Sequence, residues 1–180
     1  MKKLIFPILF TLTALLVVGI YTNAQDILSE NVIRLHVIAN SDSKEDQAVK
    51  LLVRDAILDE FSAYEVFDSK QMAESYIENH LKLAKETAKR VLTENGFSYN
   101  VNVEYGRFSF PRRHYGDITL PAGMYDGLRI RLGEGKGQNW WCVMYPPLCF
   151  NEANSGTNTY DDANVTFNFK FKLMEIFKSL

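Results

Sequence analysis

The sequence predicts an α+β domain: one N-terminal strand, two helices, then a mainly antiparallel sheet, preceded by an export signal. Three observations carry this. A short β-branched run, Val32-Ile33-Arg34-Leu35-His36-Val37-Ile38-Ala39, opens the domain. Apolar residues at helical spacing fill much of the next sixty positions. After Gly96 the apolar period changes to two. Strand, helices, then a run of strands is an α+β order.

The elements follow in chain order. Lys2 and Lys3 form a positive head, and Leu4 to Ile20 is apolar, broken only by Pro7, Thr11, Thr13 and Gly19. A charged head, an apolar run and a small-residue exit describe a secretory signal over residues 1–24, with Thr22 and Ala24 set before cleavage at Gln25. The run is also close to the ~20 residues that span a bilayer, so an uncleaved signal anchor is the alternative. Either form puts the domain, residues 25–180, on the far side of a membrane.

The β-branched run at 32–39 reads as a strand. Asn40-Ser41-Asp42-Ser43 ends it, and Ser43 with Asp46 resembles a capping box for a helix bearing Val49, Leu52, Val53, Ala56 and Ile57. A second helix starts near Asp68-Ser69. Its stripe is Ala73, Tyr76, Ile77, His80, Ala84, Ala88 and Val91, and Asn95-Gly96 is its expected C-cap. Tyr99, Val101, Val103 and Tyr105 then alternate with polar residues, as do Leu128, Ile130 and Leu132 with Arg129 and Arg131. Both read as half-buried antiparallel strands. Gly133-Glu134-Gly135-Lys136-Gly137 reads as a hairpin turn rather than a phosphate cradle, because strands flank it and no GK[ST] follows. Residues 151–164 are a polar loop, and the tail reads as a strand passing into a short helix.

Composition narrows the functional classes. Without residues 1–24 the chain loses two lysines and no acid, so its formal charge moves from −2 to −4. The longest basic stretch is Pro111-Arg112-Arg113-His114, too little to neutralise phosphates, so nucleic-acid binding is not expected. Nothing suggests a cofactor or a metal. Cys142 and Cys149, separated by a segment holding Pro146-Pro147, form a disulfide candidate in an exported chain, worth about 2–3 kcal/mol in the chain-entropy model. Two free thiols are the alternative, because spacing does not show the required geometry.

Few residues offer chemistry. His36 paired with Asp42 or Ser41 would make a hydrolase, against a plain histidine at a strand face or edge. Ser41, Asp42, Glu45 and Asp46 lack the later Gly and Glu of a calcium loop, and helix capping explains them as well. His80 reads as a satisfied core residue. Of Trp140 and Trp141, one should point inward and one outward, where it would anchor an interface or lie under the 151–164 loop.

Three long stretches carry a resemblance. They are Arg34-Leu35-His36-Val37-Ile38-Ala39-Asn40-Ser41-Asp42-Ser43 with Asp46-Gln47, then Tyr115-Gly116-Asp117-Ile118-Thr119-Leu120-Pro121-Ala122-Gly123-Met124-Tyr125, then Asn139-Trp140-Trp141-Cys142-Val143-Met144-Tyr145-Pro146-Pro147-Leu148-Cys149-Phe150. Together they resemble the stage II sporulation protein R family, over about residues 30–150. The resemblance implies a protein made in the forespore and exported into the space between forespore and mother-cell membranes. There it would trigger a membrane-embedded aspartic protease, of the stage II sporulation protein GA type, that processes the early mother-cell pro-sigma factor. On that reading the chain is not an enzyme. It touches membrane only through its N-terminal segment, and its contacts with the protease are expected at His36, Asn40, Asp42, Trp140 and Trp141.

Overall fold

In the computed structural model, residues 2–61, 67–115 and 118–146 are described. The chain starts with a 30-residue helix, α1 (Lys2–Asn31). Phe6, Phe10, Leu15 and Leu16 along it are exposed, as an apolar segment not belonging to the domain core would be. Among the described residues no helix is long and apolar enough to cross a membrane. The helix runs through the expected processing point at Ala24-Gln25 and reaches the domain at its end, where Leu28 packs beside buried Val32.

The domain follows as β1 (Ile33–Ile38), α2 (Lys44–Glu60), α3 (Lys70–Asn79), α4 (Leu81–Glu94), β2 (Val101–Phe110), β3 (Arg113–Tyr115), β4 (Ile118–Leu120), β5 (Gly123–Leu132) and β6 (Asn139–Tyr145). The capping box forms as expected, with the Asp46 backbone N–H donating to Ser43 Oγ at 3.1 Å. Ser69 caps α3 in the same manner, accepting from the Met72 N–H at 3.3 Å. Val49, Val53 and Ile57 of α2 are buried, whereas Leu52 is 46% exposed and lies off the core stripe.

The single second helix expected from the sequence is two. His80 leaves helical geometry at φ −112, ψ 14, ending α3 and starting α4. Its ring stacks on Tyr76 at 3.8 Å, and Nδ1 sits 2.7 Å from the Tyr76 carbonyl it donates to. The apolar stripe continues through the break, so periodicity alone does not reveal it. His80 is half-buried at the joint rather than in the core.

The sheet is mixed, not mainly antiparallel. Its order is β2-β5-β1-β6, with β1 parallel to β5 and antiparallel to β6. The hairpin expected at Gly133–Gly137 is therefore absent: β1 lies between β5 and β6, and the glycine segment passes over the end of β1 instead. A separate two-stranded ribbon, β3-β4, completes the β structure of the described residues.

Strand alternation divides the sheet into two faces. On one, Ile33, Leu35, Val37, Leu128, Ile130, Leu132, Cys142 and Met144 meet the buried residues of α2, α3 and α4 in the main core. On the other, Val32, Phe110, Leu120, Tyr125 and Val143 form a smaller cluster. The expected polar loop at 151–164, the tail and Cys149 lie outside the described residues.

Candidate functional site

The first conspicuous stretch is organised around a carboxylate. Asp46, in the first turn of α2, is 5% exposed. It accepts hydrogen bonds from Asn40 Nδ2 at 2.9 Å, Ser41 Oγ at 2.6 Å and the Tyr99 hydroxyl at 3.0 Å. Burial opposes its ionisation, but bonds from Ser41, Asn40 and Tyr99 outweigh that and hold the carboxyl below its ordinary range. The Tyr99 hydroxyl is pushed well above its ordinary value by burial and by Asp46.

The same turn fastens the glycine segment. Asn40 Oδ1 accepts the Glu134 N–H at 3.0 Å, and Asp42 Oδ1 accepts the Gln138 N–H at 2.8 Å. Gly137 donates its N–H to the Ala39 carbonyl, and a Cβ there would sit 2.1 Å from the Ser41 carbonyl oxygen. Only a residue without a side chain permits that approach. Lys50, 5% exposed, donates to Gln47 Oε1 and to the Gln138 carbonyl. Asn40 and Asp42 thus have definite internal partners, and Asn40 is half-buried while Asp42 is exposed.

The second arrangement lies on the outer face, opposite the helices. His36 is 6% exposed, stacks on Trp141 at 3.5 Å and 19°, and meets the Phe110 ring edge-on at 6.0 Å. Its Nε2 lies 2.6 Å from Asn139 Oδ1. A carbonyl oxygen only accepts, so this nitrogen carries the proton. Burial, partly offset by that bond and reinforced by Arg129 and Arg34, lowers the imidazole pKa to about 4. It is a neutral aromatic element at physiological pH.

Two residues back on the same face, Arg34 is fully buried. Its guanidinium carbon lies 4.4 Å from the Phe110 centroid and 5.0 Å from that of Tyr125. It donates to the Pro111 carbonyl at 3.3 Å and the Tyr115 hydroxyl at 2.8 Å. Gly127, its partner on β5, leaves the space Phe110 needs: a Cβ there would fall 3.0 Å from that ring. Further along, Arg129 pairs with Glu104 at 2.8 Å and lies 3.9 Å from the Phe108 ring centre. Exposed Arg131 continues the row.

The tryptophans separate as the pleat requires, but both are half-buried. Trp140 packs against the main core with the Arg54 guanidinium 5.0 Å from its ring, while Trp141 joins the outer cluster. Both faces of β6 are partly covered, so the two rings face opposite sides while neither is fully buried or fully exposed. Of the expected contact residues, only His36 and Trp141 touch; Asn40 and Asp42 belong to the turn, and Trp140 to the opposite face. The hydrolase grouping is not assembled, since His36 is held by Asn139, Ser41 by Asp46, and Asp42 by Gln138. Among the described residues no group of His, Cys, Asp and Glu is placed to hold a metal. The sequence reading assigned no role to Arg34 or Asn139, although Arg34 and His36, two apart on one strand, necessarily share a face.

Similarity to known proteins fits this layout. A family profile for Stage II sporulation protein R matches residues 29–155, spanning β1 through β6. The Stage II sporulation protein R of Bacillus subtilis (strain 168) is 37% identical over 135 residues, covering 74% of this chain and 60% of that relative's length. No solved structure matches. The matched span holds the Asp46-centred turn and the Arg34–His36–Trp141 face together, and the chain belongs to the stage II sporulation protein R family of sporulation proteins.

Proposed function

We propose that this chain is an exported signalling protein that acts by binding. It activates a membrane-embedded aspartic protease of the stage II sporulation protein GA type, and thereby the processing of the early mother-cell pro-sigma factor. Family membership over residues 29–155 is the observation that carries the reading. The placement of the described side chains agrees with it, because the polar residues that invited a catalytic reading are each committed to an internal partner.

The Lys2-Lys3 head and the apolar stretch of α1 support export, which on this reading delivers the domain to the space between forespore and mother-cell membranes. That compartment favours a Cys142–Cys149 bond. Of the two, Cys142 is described, buried on the helix side of β6. Of the contact residues expected from the sequence, His36, Asn40, Asp42, Trp140 and Trp141, the outer-face pair His36 and Trp141 is the proposed contact, with Trp141 its aromatic anchor. The test is reconstitution of the exported domain, the protease and the pro-sigma factor in membranes. Faster pro-sigma processing in the presence of the domain supports the reading. Unchanged processing, or turnover of a peptide, glycan or ester by the domain alone that His36→Ala abolishes, refutes it.

A further inference from the structure

Arg34 is the most unusual buried group among the described residues. A guanidinium keeps its charge, and burying it without a counter-charge is costly. No described carboxylate forms an ion pair with it. Its hydrogen-bond acceptors are neutral, the Pro111 carbonyl at 3.3 Å and the Tyr115 hydroxyl at 2.8 Å. Among the described residues its Nε has no hydrogen-bond partner. The rings of Phe110 and Tyr125 recover part of the cost through their π faces. They do not satisfy an N–H.

The surroundings have the same sign. Along this face β1 and β5 contribute Arg34, Arg129 and Arg131, and the register sets Glu104 of β2 beside Arg129 as the acid of the row. Glu104 is already bound to Arg129. A chain with formal charge −2 therefore carries a locally cationic, aromatic-lined face. Trp141 and Phe108 are both half-exposed on it.

We infer that the outer face of the sheet is the docking surface for an acidic segment of the partner protein, and that Arg34 receives one of that segment's carboxylates. This rests on the binding role proposed above and specifies its chemistry. The carboxylate takes Nε and a terminal N–H of Arg34 in the two-pronged geometry that guanidinium and carboxylate share. The terminal nitrogen beside Nε is Nη2, which keeps its bond to the Tyr115 hydroxyl, while the Pro111 carbonyl stays on Nη1. Because the guanidinium is fully buried in the free domain, the groups that cover it part to admit the carboxylate. A second acid meets Arg131, and the segment's backbone crosses Trp141.

The test uses the exported domain as wild type, Arg34→Met and Arg34→Lys, with three readouts. Thermal melting comes first: Arg34→Met is expected to melt at or above the wild-type temperature, since it removes a buried charge that no described carboxylate compensates. Binding to the membrane-embedded protease comes second, at low and high salt. Arg34→Met should bind at least tenfold more weakly, with a shallower salt dependence. Arg34→Lys, which keeps the charge but loses the fork, should also lose at least tenfold at low salt. The third readout is the nitrogen NMR signal of Arg34 Nε–H during titration with acetyl-triglutamate amide. It should shift saturably, and stay put with acetyl-triglutamine amide or inorganic phosphate.

Wild-type binding that Arg34→Met leaves equally tight and equally salt-sensitive overturns the inference. So does an Nε–H that responds to triglutamine or phosphate as it does to triglutamate. Should Arg34→Met fail to fold, Arg34→Lys and the titration decide alone. If the wild type does not bind the protease, the proposed function falls, and the peptide titration still judges Arg34.

Discussion

On its helix side β1 presents Ile33, Leu35 and Val37, each fully buried in one apolar core. On its outer side the same six-residue strand presents Arg34, His36 and Ile38, and two of these are buried polar groups, Arg34 held by rings and two hydrogen bonds and His36 by rings and one. The backbone is shared, so the difference is one of chemistry alone. The helix side is the usual solution to burial: apolar area removed from water, at roughly 25 cal/mol per Å². The outer side spends stability on a desolvated guanidinium and imidazole, which a selection for folding alone would replace with leucine or valine. Sites that break local consistency in this way tend to be functional ones.

That contrast sets the scale of what substitutions should do. Leu35→Ala, on the helix side, should cost about 2–5 kcal/mol through lost transfer energy and a residual cavity, read from denaturant melts. A much smaller loss would mean that the main core is loosely packed at β1 and that the contrast is overstated.

His36 sharpens the outer half of the comparison through pH. Its pKa is lowered to about 4 in the fold, against an ordinary 6.5. The folded protein therefore resists a proton that the unfolded chain accepts. The associated stability is fully present above pH 6.5 and is lost as pH falls from 6.5 toward 4, by about 3 kcal/mol. Melts of wild type and His36→Gln across that window check it: the slope should flatten in the variant. Equal slopes would show that the imidazole is more hydrated than the stacking with Trp141 implies.

The smallest effect belongs to the turn. Ser43→Ala should cost about 1 kcal/mol by removing the cap that accepts the Asp46 N–H. It should leave partner binding unchanged, because Ser43 lies on the turn and not on the outer face. Loss of binding without loss of stability would return the contact surface to the Asn40–Ser43 turn.

The sequence made the local elements legible and left their assembly hidden. A β-branched run marks β1, period-3.6 spacing marks α2, period-two alternation marks β2 and β5, and the Ser43–Asp46 spacing marks a helix start that the structure forms. The position of β1 between β5 and β6 was not readable, because parallel pairing across a long crossover leaves no trace in local periodicity. For the same reason the glycine segment looked like a hairpin. Gly133 and Gly137 are required by the close approach of Asn40 and Ser41, and Gly135 by its positive φ beside Arg131, rather than by a two-strand turn. The break at His80 was masked by an apolar stripe that continues through it. Asn40 and Asp42 stood out as polar residues in a distinctive motif, yet their partners are 94 and 96 positions away. Arg34 is visible in an apolar strand, but the lack of a counter-charge among the described residues only becomes apparent once Pro111, Tyr115 and Tyr125 are gathered around it.

The central claim is that the outer face, and not the helix side, carries the signal. The most direct measurement compares Trp141→Ala with Trp140→Ala, adjacent residues on opposite faces of β6, for affinity to the membrane protease and for stability. Trp141→Ala is expected to weaken binding at least about thirtyfold, equivalent to about 2 kcal/mol, whereas Trp140→Ala lowers stability and leaves the affinity of the folded fraction unchanged. The reverse pattern, with Trp140 governing affinity and Trp141 dispensable for it, would contradict the account.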